Sequence, residues 1–363
     1  MASRPFTQLG DDEPLSDEAR GLASTRAPLE LSASAPDDER VESALSRAAK
    51  NLALLFGLVV GVGGLIAAIV GLHSSRRRSP APAPTAVPSA VPTPWNASAC
   101  PLLPSTLVAV YTDVAGGVGH GSHNWERNFW AWWREKDARV AYVELAKEDV
   151  SRRCELAEYP NLRLYVQPGG NAYKEQVGIA PAGTENIRRF LDARDATRYV
   201  GTCAGWYFAS TDYWWQGYHY TSALEPNLLG RFDATIEGSI LDIRDYDGEP
   251  PYAVTRVVSP DGTVDLDALY YGGPTRGWRN TTLALPEGAE TLVTFAELPG
   301  GRAECPAAVR YRDMLLFSVH FEAFQDSSGE LADGTLSDEQ VEANYRYRAA
   351  RINEHLGTDW ATS

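Results

Sequence analysis

The stretch YVGTCAG, residues 199–205, predicts a short buried strand running into Cys203, which has a glycine two positions away on each side. A small–x–Cys–x–small sequence is typical of a sharp strand-to-helix turn, where strained backbone angles at the central residue leave room only for small neighbours. The helix that follows directs the positive end of its dipole at the sulfur, which favours a reactive thiolate. The pattern alone also fits a buried, inert cysteine, because cysteine is among the most buried residue types.

Upstream of this turn, apolar strands alternate with helical segments. Strands are predicted at Thr106–Tyr111, Arg139–Glu144 and Leu162–Val166. Helices are predicted after Ser122, which can cap a tryptophan-rich segment, and at Glu185–Ala193. This alternation predicts an α/β fold with a doubly wound parallel sheet, in which an active site lies beyond the carboxyl ends of the strands.

The second half of the chain has a different pattern. Short strands separated by turns containing Gly and Pro dominate from Thr235 to Phe295 and predict extra β-structure that extends or caps the sheet. Leu315–Val319 predicts a last buried strand, which runs into His320. From Leu336 to Leu356 apolar residues repeat at helical spacing, so we expect a C-terminal helical tail at 331–363.

His320-Phe321-Glu322 is the second segment with catalytic character. A histidine at the end of a buried strand can face the site as a general base. Because side chains alternate along a strand, Phe321 points away and Glu322 returns to the side of His320, where it can orient the imidazole and stabilise its cation. The predicted catalytic residues are therefore Cys203, His320 and Glu322.

Pro168-Gly169-Gly170 follows the predicted strand Leu162–Val166 and is the third segment. Two glycines let the backbone come close to a substrate and present its N–H groups. Together with the N–H of Ala204, those of Gly169 and Gly170 can form an oxyanion hole, which binds the charged oxygen of a tetrahedral intermediate.

In this chain order the three segments resemble the class I glutamine amidotransferase-like superfamily. Within it, the chain is most similar to the N-terminal domain of fungal-type biotin–protein ligases, through CAGWYFAS at 203–210, YYGGP at 270–274 and PAAV at 306–309. The likeness covers residues 107–324. It implies a flavodoxin-like fold and the same three catalytic residues.

Two features depart from that pattern. Glutaminases of this class usually have Gln four residues after the nucleophile, whereas this chain has Tyr207 there. No synthetase or biotin-ligase catalytic domain is recognised after the triad, so an ammonia channel would have no acceptor in this chain. We therefore expect a cysteine-dependent amide hydrolase or transferase, with a protease as one form of it, acting on a small-molecule or peptide-like amide. The alternative is an inactive ligand-binding or scaffolding module of the same fold.

Composition and motifs limit the other functions. The formal net charge is −15, which argues against nucleic acid as a partner because such binding needs a basic surface. The sequence has no zinc pattern, phosphate loop or dinucleotide fingerprint, and Asp242, Asp245 and Asp247 lack the spacing of a calcium loop. No metal and no cofactor is therefore expected.

The N-terminal third of the chain predicts membrane attachment. Leu52–Leu72 is an uncharged apolar run long enough to cross a bilayer as one helix. The acidic segment 1–50 before it is poor in core-forming residues and is expected to be disordered. The Pro-rich linker 73–99 is expected to hold a domain at 100–330 away from the membrane.

Orientation in the membrane depends on weaker signals. Basic residues on the two sides of the apolar run nearly balance, and the cluster Arg76–Arg78 favours a cytosolic C-terminal side. Glycosylation sequons at Asn96 and Asn280 favour the opposite orientation. In an oxidising compartment, Cys100 could pair with Cys305 or with Cys154. The expectation is a single-pass protein whose soluble domain is lumenal or extracellular.

Overall fold

The computed structural model of the chain describes residues 99–221, 227–246, 250–278, 284–296, 298, 305–324, 331 and 335–362. The predicted acidic tail, the predicted span Leu52–Leu72, both sequons and nearly all of the linker lie outside these residues. Within the described ranges, no helix combines the length and the apolar character that crossing a membrane requires.

Strands make up a large central sheet and a smaller one. In chain order they are β1 (Val108–Tyr111), β2 (Tyr142–Leu145), β3 (Leu164–Gln167), β4 (Arg198–Thr202), β5 (Ser210–Trp215), β6 (Tyr218–Thr221), β7 (Phe232–Gly238), β8 (Ala253–Val258), β9 (Asp265–Tyr270), β10 (Ala289–Phe295), β11 (Pro306–Tyr311) and β12 (Met314–Phe317). The central sheet has nine strands in the order β2-β1-β3-β4-β12-β11-β10-β8-β9, and the small sheet has the order β6-β5-β7.

The central sheet is mixed rather than wholly parallel. The neighbours β2, β1, β3, β4 and β12 run parallel, in the strand order of flavodoxin-like sheets. From β11 onwards the neighbouring strands pair antiparallel, because β11 and β12 form a tight hairpin that reverses the chain. The predicted parallel sheet is thus one half of a larger sheet, and the extra β-structure lengthens it.

Five helices accompany the described strands. They are α1 (His120–Lys136), α2 (Ala172–Ile179), α3 (Ala182–Asp192), α4 (Ala204–Ala209) and α5 (Asp338–Leu356), with short helical turns at Asp149–Arg153 and Leu156–Glu158. The prediction that Ser122 caps the first helix is wrong. Gly119 holds the cap position in an extended conformation, with its N–H bonded to the Gly169 carbonyl, so α1 begins three residues earlier than a helix capped by Ser122 would. In contrast, Ser337 and Gln340 form a reciprocal capping box at the start of α5.

Alternation along the parallel strands divides the core between the two faces of the sheet. Val108 and Val110 of β1 pack on the face covered by α1 and α5, whereas Ala109 and Tyr111 pack on the face covered by α2, α3 and α4. On α5, Tyr345, Ala349 and Ile352 are buried in the first of these clusters. The C-terminal helix therefore closes one face of the sheet and is part of the core.

A disulfide connects the start of the described domain to the segment after β2. Of the two pairings that the sequence left open, Cys100–Cys154 is the one that forms. Cys305 takes no part in it and is buried beside the strands of the central sheet.

Candidate active site

Cys203 lies in a strained turn between β4 and α4. Its φ of 51° and ψ of −103° lie in a region that non-glycine residues rarely adopt, at a typical cost of about 1–3 kcal/mol. Its N–H donates to the Phe317 carbonyl at the end of β12, which holds the turn against the sheet. A Cβ on Gly201 would lie 2.7 Å from the Gly205 carbonyl oxygen, and one on Gly205 would lie 2.2 Å from that of Gln167. Both positions therefore require glycine, as the sequence pattern predicted.

His320 and Glu322 lie just beyond the neighbouring strand β12. His320 Nδ1 is 2.8 Å from Glu322 Oε1, and both side chains are almost completely buried. The Cys203 side chain is close enough to the His320 ring to raise the pKa of the imidazole, and its sulfur donates to the Tyr271 carbonyl at 3.4 Å. Because β4 and β12 are adjacent and parallel, their carboxyl ends bring these three predicted residues close together.

The charge state of His320 depends on its neighbours. Burial alone would lower the pKa of the imidazole, but the Glu322 carboxylate, its hydrogen bond with the ring and the nearby Cys203 side chain outweigh it and raise this pKa to about 10. At neutral pH the ring is thus an imidazolium, which can give a proton to a leaving group. A cation of this kind beside a cysteine is typical of thiolate nucleophiles.

Behind Glu322 lies a second buried ion pair. Arg348 of α5 binds Glu126 of α1 through two hydrogen bonds, at 2.5 and 3.1 Å, and its Nη1 lies 3.6 Å from Glu322 Oε2. Trp130 donates its indole N–H to Glu126 Oε2 at 2.9 Å. All three charged side chains are fully buried. Burial would raise the pKa of the Glu322 carboxyl, but Arg348 and His320 together lower it below the ordinary value, so the carboxylate stays ionised.

The glycine loop after β3 lies directly beside the histidine. A Cβ at Gly169 would be 2.3 Å from His320 Cε1, so only glycine fits there. The Gly169 carbonyl accepts from the Gly119 N–H at 3.2 Å, and the Asn171 N–H donates to the Gly117 carbonyl at 2.9 Å. The loop is thereby held against residues 117–119. In the described part of the chain the N–H groups of Gly169 and Gly170 have no acceptor, and that of Ala204 is at the first position of α4, where a helix supplies none.

A buried carboxyl group, that of Glu175, packs against this glycine loop. Glu175 of α2 accepts a hydrogen bond from Gln167 Nε2 at 2.9 Å, and Tyr165 donates its hydroxyl to Gln167 Oε1 at 2.8 Å. The other Glu175 oxygen has no hydrogen-bond partner among the described residues and would lie 2.8 Å from a Cβ at Gly170. Burial raises the pKa of Glu175 to about 8, against the opposing hydrogen bond from Gln167.

Two functional features were missed at the level of sequence. Glu126 and Arg348 each interrupt an apolar helical face, Glu126 within the tryptophan-rich α1 and Arg348 between the buried Tyr345 and Ala349. A charged residue within an apolar stripe indicates a buried ion pair, and this pattern is visible in the sequence. Tyr271 could not be anticipated: its backbone carbonyl lies 3.4 Å from Cys203 Sγ, a contact that no sequence pattern encodes.

No group of three or more His, Cys, Asp or Glu side chains lies in the described ranges in an arrangement that could hold an ion. The side chains that meet at the site are instead one thiol, one imidazole, two carboxylates and one guanidinium. Such a set suits nucleophilic and proton-transfer chemistry.

Comparison with solved structures finds similar chains at low sequence identity. A glutamine amidotransferase is similar with 18% sequence identity and a TM-score of 0.43, over 69% of this chain and 100% of its own. A glutamine amidotransferase from Thermotoga maritima gives 13% identity and a TM-score of 0.33, over 70% and 86% of the two chains. The glutaminase domain of Trypanosoma brucei CTPS, solved with bound acivicin, gives 10% and 0.39, over 71% and 97%.

No protein-family model matches the chain. A search of curated proteins likewise finds no match. Identities and TM-scores of the size found among solved structures do not place the chain in a family. Its chemistry therefore has to be inferred from its own side chains.

Proposed function

We propose that the domain is a cysteine-dependent acyl-transfer enzyme, a hydrolase or amidotransferase that acts on a small-molecule or peptide-like amide. The observation that carries the proposal is the buried cluster of Cys203, His320 and Glu322 at the carboxyl ends of two adjacent parallel strands, in which His320 and Glu322 are hydrogen-bonded. Strain at the nucleophile and a charge-paired carboxylate behind the imidazole are typical of working sites and serve no evident packing purpose.

In the first half-reaction, the thiolate of Cys203 attacks the carbonyl carbon of the amide, and a C–S bond forms. The carbonyl oxygen becomes an oxyanion, which the N–H groups of Gly169, Gly170 and Ala204 can receive. The imidazolium of His320 then gives its proton to the amide nitrogen, the C–N bond breaks, and the amine leaves. A thioester on Cys203 and a neutral imidazole remain.

In the second half-reaction, neutral His320 takes a proton from water as the resulting hydroxide adds to the thioester. The C–S bond breaks, the acid is released, and the thiolate and imidazolium are restored. In an amidotransferase, the ammonia released in the first half-reaction would pass to an acceptor on another domain or chain and not to solvent. Glu322 stays ionised throughout and orients the ring.

A binding or scaffolding module is the second candidate. It is favoured by the burial of Cys203, which is only 5% exposed, and by the contact of its sulfur with the Tyr271 carbonyl. Tyr207 also occupies the position where glutaminases carry their substrate-binding Gln, and it donates its hydroxyl to the Gly272 carbonyl. These contacts would suit a site that retains its shape without turnover.

The deciding experiment is a screen of small amides and blocked peptides for turnover and for acyl adducts. The purified chain is incubated with each compound, and intact mass and peptide mapping locate any adduct. We expect a thioester mass on Cys203 that hydroxylamine removes, no adduct in Cys203→Ala, and an unchanged adduct in Cys305→Ser. Turnover that survives Cys203→Ala would disprove the assignment. Specific binding of compounds without any adduct or turnover would favour the second candidate.

We further propose that the domain is similar to the N-terminal domain of biotin–protein ligases. We also propose that Leu52–Leu72 anchors it to a membrane, with the domain on the lumenal or extracellular side. The sequence motifs at 203–210 and 270–274 support the first part. The Cys100–Cys154 disulfide supports the location, because disulfides persist mainly in oxidising compartments. Glycan on Asn96 or Asn280 of the protein made in a eukaryotic cell would test it, and a domain accessible only from the cytosol would contradict it.

A further inference from the structure

A cleft of about 270 Å³ opens beside the sulfur of Cys203. Seven of its twelve lining residues are aromatic, and they come from four separate parts of the chain. Lining residues come from the loop after β3 and the start of α2, from α4 with the small sheet, and from the segments after β7 and β9. The cleft is at the small end of the size range of ligand sites.

One wall of the cleft comes from α4 and the β5–β6 hairpin. Tyr213 and Tyr220 stack with ring centroids 4.7 Å apart. Tyr207 meets Tyr213 edge-on at 5.0 Å and Trp215 at 5.6 Å. Rings held in this way by one another present a preformed apolar surface and lose little freedom when a flat group packs on them.

The other wall leads to the reacting groups. Trp215 meets Tyr246 at 5.0 Å, Tyr246 meets Tyr271 at 5.6 Å, and Tyr271 lies 6.5 Å from the His320 ring. The aromatic surface is therefore continuous from the cleft to the imidazole. A group packed on it would have its neighbouring carbonyl next to Cys203.

The positive charge of a lining residue makes the cleft unfavourable for a cationic ligand. Aromatic walls can receive cations through their ring faces. Lys174, however, is the one charged side chain among the described residues that line this cleft, and it also lines the adjoining cleft with Cys203 and His320. Within the described ranges Lys174 makes no ion pair. A cationic ligand would be repelled, whereas a carboxylate would gain a partner.

We propose that the substrate is an aromatic amide that also carries a carboxylate: its ring packs between Tyr213, Trp215 and Tyr246, and its carboxylate pairs with Lys174. This inference rests on the proposed function, since it assigns the substrate class of the same site. The same assignment accounts for the presence of Tyr207. Its ring lines the cleft at the position where glutaminases of this class carry the Gln that binds their substrate. Such a substrate has an aromatic ring for the aromatic walls and a negative charge for Lys174.

Four chloroacetamides test this assignment on the full-length chain. They derive from aniline, 4-aminobenzoate, cyclohexylamine and trans-4-aminocyclohexanecarboxylate, so that ring type and carboxylate vary independently. Each forms a C–S bond with a thiolate and releases chloride. The rate of labelling at Cys203 is measured by mass spectrometry and divided by the rate of the same reagent with glutathione, which removes differences in intrinsic reactivity. Iodoacetamide serves as a reagent without either feature.

We expect the aryl reagents to label Cys203 about threefold to tenfold faster than their cyclohexyl counterparts. The carboxylate should add roughly twofold to fivefold. Lys174→Gln should remove only the gain from the carboxylate, and Lys147→Gln should leave it unchanged. Trp215→Leu should reduce only the preference for aryl groups. Trp214→Leu is its matched control, because Trp214 is the next residue on the same strand and does not line the cleft.

Equal normalised rates for all four reagents, with iodoacetamide still labelling Cys203, would overturn the substrate class and leave the nucleophile assignment intact. Faster labelling by neutral reagents than by their carboxylate counterparts would overturn the role of Lys174. Failure of every reagent, iodoacetamide included, would overturn this inference together with the proposed function on which it rests.

Discussion

The guanidinium of Arg348 lies 3.6 Å from the carboxylate of Glu322, and both side chains are completely buried. Arg348 comes from the last helix of the chain and also binds Glu126 of the first helix, so the C-terminal helix contributes a charge to the candidate site. Its cation keeps the pKa of the Glu322 carboxyl low despite burial. We regard Arg348 as a positioning residue, which acts on the nucleophile only through Glu322 and His320.

Loss of Arg348 should be costly because it leaves the buried Glu126 without a cation and takes from Glu322 one of its two cationic partners. We expect Arg348→Met to lower the free energy of unfolding by about 3–5 kcal/mol, measured by urea denaturation. Arg346→Met on the exposed side of the same helix should cost less than about 1 kcal/mol, since its pair with Glu342 is at the surface.

The double variant Glu126→Gln/Arg348→Met should recover part of that loss, because the one carboxylate that then remains, Glu322, keeps the His320 imidazolium as its partner. It should not restore the behaviour of the site, since Glu322 still lacks Arg348. Simple additivity of the two substitutions in unfolding free energy would contradict the coupling described above.

Glu175 predicts a pH dependence of stability. Its pKa is raised to about 8 in the folded protein, so between its ordinary value near 4.5 and pH 8 the folded chain binds more protons than the unfolded chain. The contribution of this group is therefore fully present below about pH 4.5 and is lost as the pH rises towards 8. Glu175→Gln, which cannot ionise, should match the wild type at pH 5 and exceed its stability by a few kcal/mol at pH 8.5. If Glu175→Gln differs from the wild type in unfolding free energy by the same amount at both pH values, the prediction is wrong.

Gly169 should tolerate no side chain. A methyl group there would lie 2.3 Å from His320 Cε1, so Gly169→Ala must displace the imidazole or the loop. We expect turnover or Cys203 labelling to fall at least about 100-fold, with the circular dichroism spectrum unchanged. Gly119→Ala, at the cap of α1 beside the loop, is the matched control, since its Cβ would meet Ser122 Oγ at an ordinary 3.5 Å.

The Cys100–Cys154 disulfide should stabilise the domain by limiting its unfolded state. It closes a loop across 54 residues, for which the chain-entropy relation gives about 4 kcal/mol. Cys100→Ser/Cys154→Ser and reduction of the wild type should lower the unfolding midpoint by the same amount. If reduction leaves the midpoint unchanged, the bond is absent from the protein in solution.

Local patterns identified side chains that the structure brings close together, whereas they predicted only part of the sheet. Cys203, His320 and the glycine pair were identifiable because strain, close approach and strand ends each demand particular residue types at fixed spacing. The antiparallel half of the sheet was less predictable, since the pairing of β8 to β11 depends on long-range partners and not on alternation alone. Arg348 and Glu126 are 222 residues apart, and only tertiary packing shows that one neutralises the other. The cleft likewise needs rings from segments distant in sequence.

The central claim is that His320 and Glu322 activate Cys203, and the pH profile of its alkylation tests this most directly. Iodoacetamide labelling of Cys203 is followed by mass spectrometry from pH 5 to 10 in the wild type, Glu322→Gln and His320→Gln, with Cys305→Ser as background. The account predicts that wild-type labelling remains fast at pH 6, well below the range in which an ordinary thiol reacts, and that both variants lose it there by at least about tenfold and recover above pH 9. A wild-type rate that follows an ordinary thiol near pH 8.5 and is the same in both variants would contradict it.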